Sequence, residues 1–140
     1  MLSSGNCPRA HYILLAEDNA ADVYLVRQAL KEHAIEPGLH VVGDGQAVID
    51  FIDQLDADST RLCPQALLLD LHLPRRDGES ILKHFRASPR CGNIPVVVLT
   101  SARSSLGLNR VQYFHKSMSL DEFMLLGEVV KSVLAGGAGS

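Results

Sequence analysis

Apolar positions along this chain alternate between two periods. Short continuous apolar runs at Tyr12–Ala16, Leu39–Val42, Ala66–Leu71 and Ile94–Thr100 read as strands, the third and fourth buried on both faces. Gln112–His115 reads as a short fifth strand. Between these runs the apolar residues recur at helical spacing: Val23, Val26 and Leu30, then Val48, Ile49, Ile52 and Leu55, then Ile81, Leu82 and Phe85. A last helix is expected to bury Leu120, Phe123, Leu126, Val130 and Val133. Asn19, Asp44, Asp77 and Ser119 stand where N-caps belong, the last within the capping box Ser119-x-x-Glu122. Pro37-Gly38 breaks the first helix after His33, and the polar stretch Asp56–Arg61 is a loop. Strict alternation of strand and helix predicts an α/β fold, a five-stranded parallel sheet covered on both faces by right-handed crossovers.

Composition narrows the class. A chain of 140 residues is one domain, able to bury roughly 68% of its unfolded surface. We expect a flexible N-terminal segment over 1–10, the domain over 11–135 and a flexible tail over 136–140. A formal net charge of −3 gives no basic stripe for nucleic acid. No apolar run reaches membrane-spanning length, and Met1–Ala10 lacks a signal-type apolar core. Cys7, Cys63 and Cys91 are odd in number and far apart, which predicts inert thiols rather than a disulfide framework, and a reducing, cytoplasmic compartment.

Candidate chemistry sits at the strand ends. Ala66-Leu-Leu-Leu-Asp-Leu-His-Leu-Pro74 presents one carboxylate, Asp70, where an apolar strand runs out. Glu17 and Asp18 follow the first strand, Thr100 ends the fourth and Lys116 follows the fifth. In the common order 2-1-3-4-5 these ends are neighbours and the first and third strands flank the switch point, where ligands bind. Three carboxylates crowded there need a cation to stay ionised, and an oxygen-only donor set selects a hard ion such as Mg²⁺. A metal beside a lysine and a hydroxyl suits a phosphoryl group, with Asp70 the carboxylate nucleophile. Singly, each residue has a plainer reading: Asp70 as a turn cap, Glu17-Asp18 as a solvated helix entry, Thr100 as a strand end, Lys116 as surface. The set in register favours the site.

Glu17-Asp18, Asp70 within its Leu-rich run, Asp77-Gly78, Ile94-Pro95-Val-Val-Val-Leu-Thr100 and Lys116 together resemble the receiver domain of two-component response regulators, over roughly Tyr12 to Leu134. Pro-Arg-Arg-Asp-Gly and the loop at Asp56–Arg61 resemble the single-domain regulators that pair with phytochrome-type histidine kinases. The resemblance implies a flavodoxin-like fold and a stand-alone switch. Asp70 would accept phosphoryl from a kinase phosphohistidine, with Mg²⁺ on Asp18, Asp70 and the His72 backbone carbonyl, and on Glu17 through water. Thr100 would bond the phosphoryl oxygen and Lys116 pair with the phosphoryl group. Thr100 and Tyr113 would form the switch, while small Ser101 leaves room for the donor. His72 and Ala102 would tune the phosphate's lifetime. The implied partners are a sensor histidine kinase and either a downstream protein target or a histidine phosphotransfer protein, with no nucleic acid or membrane, acting as a monomer or weak homodimer. Catalysis would extend only to its own phosphorylation and dephosphorylation.

Two features depart from the family. Few residues separate Thr100 from Lys116, about eleven once the fifth strand is formed, near the minimum of about a dozen for a parallel crossover. Together with Gly107 and Asn109 this predicts a shortened or irregular fourth helix, between the fourth and fifth strands. Lys116 is followed by Ser117 where many receivers have a cis proline, so the geometry of that bond is open. Other readings are a degenerate receiver acting as a phosphorylation-independent binding module, an aspartate-nucleophile phosphatase, and a nucleotide-binding Rossmann-like protein. The phosphatase would want an acid where His72 stands; the last would want a Gly-rich loop where Glu17-Asp18-Asn19-Ala20 stands. Arg75, Arg76 and Arg86 are read as a solvated face, and the histidines as scattered structural or surface groups.

Overall fold

The computed structural model describes residues 11–35, 38–75, 77–100, 111–116 and 119–136. Elements follow in the order β1 (Tyr12–Ala16), α1 (Ala20–Glu32), β2 (Gly38–Val42), α2 (Gly45–Ala57), β3 (Ala66–Asp70), α3 (Gly78–Arg86), β4 (Val96–Thr100), β5 (Gln112–His115), α4 (Leu120–Met124) and α5 (Leu126–Gly136). The five strands form one parallel sheet in the order β2-β1-β3-β4-β5. This is the flavodoxin-like arrangement, and β1, β3 and β4 are buried along their whole length.

Burial on both faces follows from the period-2 alternation of side chains. Leu14, Ala16, Leu67, Leu69, Val96 and Val98 meet α2 and α3 through Val48, Phe51, Ile52, Leu55, Ile81 and Phe85. Ile13, Leu15, Leu68, Val97 and Leu99 meet α1, α4 and α5 through Val26, Leu30, Phe123, Leu126 and Val130. The caps act as expected: Asn19, Asp44 and Asp77 accept the backbone N–H of Asp22, Ala47 and Ser80 at 3.0, 2.8 and 2.7 Å. Helix α5 rides close on α1 at Gly127, where an added Cβ would lie 2.6 Å from the Ala29 carbonyl oxygen.

Four expectations need correction. The last helix is two: Leu125 donates to the Glu122 carbonyl at 3.1 Å and accepts from Glu128 at 2.9 Å, three-residue steps that tighten one turn between α4 and α5. Leu120, expected in the core, is 59% exposed at the first position of α4. Cys63 and Cys91 are not isolated thiols but a disulfide, with an S–S distance of 1.98 Å across a sequence separation of 28. The pairing arises because the loops leading into β3 and β4 meet at the same end of adjacent strands, and the compartment argument drawn from unpaired cysteines loses its basis. Arg86 does not lie on a solvated face: its Nη1 donates to the Gly92 and Ile94 carbonyls at 2.9 and 2.8 Å. Residues 101–110 lie outside the described residues, and with them the expectation of a reduced helix between β4 and β5.

Candidate functional site

The site forms where β1, β3, β4 and β5 end. Glu17 continues β1 by one residue, its N–H donating to the Val42 carbonyl at 3.0 Å, and only 2% of it is exposed. Asp18, one residue further, is exposed. Asp70 is the last residue of β3, and its Oδ1 accepts the backbone N–H of His72 at 3.1 Å. Thr100 is buried at the end of β4 and its carbonyl accepts the Lys116 N–H at 2.8 Å, which carries the β4–β5 ladder one residue past His115 and fixes where Lys116 leaves the sheet.

Lys116 closes the group. Its Nζ lies 2.9 Å from Glu17 Oε1, 2.8 Å from Asp22 Oδ2 and 3.4 Å from Asp70 Oδ2. The other Glu17 oxygen, Oε2, accepts the Asn19 N–H at 3.2 Å. Burial, reinforced by the neighbouring Asp70, pushes the Glu17 carboxyl up to about 7 although Lys116 pulls it back. Burial also works against the charge of Lys116, but Asp22, Glu17 and Asp70 outweigh it and hold its pKa above the ordinary lysine value.

Glu17, Asp18 and Asp70 each offer a carboxylate oxygen within 4.8 Å of the others. A carboxyl whose proton affinity is raised by burial and further by a neighbouring acid is what a cation would relieve. Three hard oxygens in this compass fit a small divalent ion. Beside them stand a hydroxyl, Thr100, and an ammonium, Lys116, the groups that neutralise a phosphoryl group.

The sequence pattern of the response regulator receiver domain matches residues 13–125. The chain belongs to the response regulator receiver family. This receiver is 33% identical over 138 residues to response regulator Rcp1 of Synechocystis sp., covering 94% of this chain and 92% of Rcp1. It is also similar to the phosphorylated cyanobacterial phytochrome response regulator RcpA, at 30% identity and a TM-score of 0.72 over 90% of this chain and 95% of that one. The Mn(2+)-bound form of Rcp1 matches at 33% identity and a TM-score of 0.72, over 88% and 93% of the two chains. Among the described residues no helix of the receiver is long and apolar enough to cross a membrane.

Of the residues singled out in the sequence, Glu17, Asp18, Asp70, Thr100 and Lys116 meet at one edge of the sheet. His72 is exposed in the turn after Asp70. Tyr113 is half-buried on β5, opposite Val98 and packed against the core on the α2–α3 side. Ser101, Ala102 and Ser117 lie outside the described residues, as do Cys7 and Arg76. Sequence reasoning missed Asp22; its place in the first turn of the helix that leaves Glu17-Asp18 was the available signal. It also missed Arg90, which donates to the Leu55, Asp58 and Arg61 carbonyls at the opposite end of the sheet.

Proposed function

We propose that this receiver accepts a phosphoryl group on Asp70 from the phosphohistidine of a sensor histidine kinase, in a Mg²⁺-dependent reaction, and signals through protein–protein contact with a downstream target or a histidine phosphotransfer protein. One observation carries the reading: Glu17, Asp18, Asp70 and Lys116 converge at the carboxyl ends of β1, β3 and β5, with the Lys116 ammonium against Glu17 and Asp70 of the carboxylate triad. The relatives support it, since RcpA is described as phosphorylated and Rcp1 as Mn(2+)-bound.

Glu17, Asp18 and Asp70, with the His72 carbonyl, would hold the ion, Glu17 through a water. Bound there, Mg²⁺ supplies charge neutralisation to the phosphoryl oxygens. A carboxylate oxygen of Asp70 attacks phosphorus in line, the new P–O bond forming as the P–N bond to the donor imidazole breaks. The imidazole leaves with the bonding electron pair. Lys116 and the Thr100 hydroxyl each offer a donor to the phosphoryl oxygens. Water later attacks the same phosphorus, releasing inorganic phosphate and regenerating the Asp70 carboxylate, with His72 at the rim setting the rate. Tyr113 and Thr100 report the state to the surface.

Incubation with Mg²⁺ and a small acyl phosphate, followed by intact mass, tests the reading. Wild type should gain one phosphate and Asp70→Asn none. No uptake by a wild type that binds Mg²⁺ would replace this reading with that of a phosphorylation-independent binding module, and uptake undiminished in Asp70→Asn would remove Asp70 as the acceptor.

A further inference from the structure

We propose that Asp22 is a positioning residue for Lys116: it keeps the ammonium at the site, clear of the cation ligands, when Glu17 and Asp70 serve a divalent cation. The inference rests on the metal-dependent reading above. An ammonium has three N–H donors, and Lys116 faces three carboxylates. Two of them, Glu17 and Asp70, also belong to the triad that could hold a metal ion. An ammonium and a divalent cation cannot share those oxygens without mutual repulsion. Asp22 lies outside the triad, so its contact with Lys116 is the one that need not be given up.

Its placement suits that task. At 2.8 Å it is the shortest of the three ion-pair contacts, joining residues 94 apart in sequence. The Asp22 backbone is fixed in the first turn of α1 by the Asn19 cap at 3.0 Å, so its carboxylate is carried on a rigid element. The side chains of Lys116 and Asp22 are 15% and 26% exposed, which shields the pair from the screening that weakens surface ion pairs. Without Asp22, Lys116 would fall back on Glu17 and Asp70 and compete with the cation for them. An acid that served only the helix N-terminus would be indifferent to Lys116.

Calorimetric titration with Mg²⁺ of wild type, Asp22→Asn, Lys116→Gln and the double variant separates these cases. Melting curves verify folding, and Asp22→Ser replaces Asp22→Asn in the cycle should the latter fail to fold. Asp22→Asn should weaken Mg²⁺ binding about tenfold when Lys116 is present, and several-fold less in the Lys116→Gln background, because contacting charges couple. Equal losses in both backgrounds, or no loss in either, would overturn the proposal, leaving Asp22 as bulk charge or a helix acid. The titration needs no phosphoryl donor. Wild type that binds Mg²⁺ but takes up no phosphate therefore defeats the function reading while the cycle still decides the role of Asp22. Wild type that does not bind Mg²⁺ overturns both.

Discussion

Adjacent side chains at the end of β1 do different work because one is buried and the next is exposed. Glu17 is held inside the end of the sheet and loses its hydration, so its charge depends on Lys116; Asp18 stands exposed to solvent. Removing Asp18 should therefore separate metal affinity from stability. We expect Asp18→Ala to weaken Mg²⁺ binding by at least about tenfold, while stability shifts by no more than about 0.5 kcal/mol, as for other exposed positions. Titration and melting curves read the two quantities, and an unchanged affinity would move the cation elsewhere. Asp70 was legible as a residue because an acid at the end of a Leu run has no packing explanation. Asp22 was harder to read, because its partner lies 94 residues away and the local sequence offers no more than its place just after Glu17-Asp18.

Among the elements, those with a sharp start signal were read to the residue. Helix α3 begins at Gly78 behind the Asp77 cap, and β1 and β5 have the expected limits. The fourth strand was read long: Ile94 and Pro95 precede the ladder that starts at Val96, since the apolar run continues where the pairing does not. The break at Leu125 was illegible for the opposite reason. Phe123, Leu126, Val130 and Val133 keep helical spacing through it, so the apolar pattern carries no trace of one tightened turn. The closeness of α1 and α5 also has a single-residue test. Gly127→Ala should destabilise the fold by about 1–3 kcal/mol, because the new methyl meets the His33 ring and the Ala29 carbonyl, a backbone group that cannot swing aside. Denaturant unfolding measures this, and an unchanged midpoint would mean that the two helices separate freely.

The whole molecule divides its labour between the two ends of the sheet. At the carboxyl end lie the acids and Lys116. At the other end the Cys63–Cys91 disulfide and the hydrogen bonds of Arg90 and Arg86 fasten the loops entering β3 and β4. Cysteine arithmetic could not reveal the bridge, because spacing along the chain says nothing of loops that meet only once the strands are ordered. A bridge across a sequence separation of 28 contributes about 3.5 kcal/mol to stability. Cys63→Ser should lower unfolding stability by about that amount and leave phosphate uptake at the far end unchanged; uptake that fell with it would mean that the two ends are coupled. The central claim is that the phosphoryl group goes to Asp70, and reductive trapping tests it most directly. After phosphorylation in Mg²⁺, borohydride converts an aspartyl phosphate to homoserine, and peptide mass mapping locates it. Homoserine at position 70 alone, absent when the metal is chelated, is the expected result. Homoserine at Asp18, a phosphohistidine in place of an acyl phosphate, or labelling indifferent to chelation would contradict the claim.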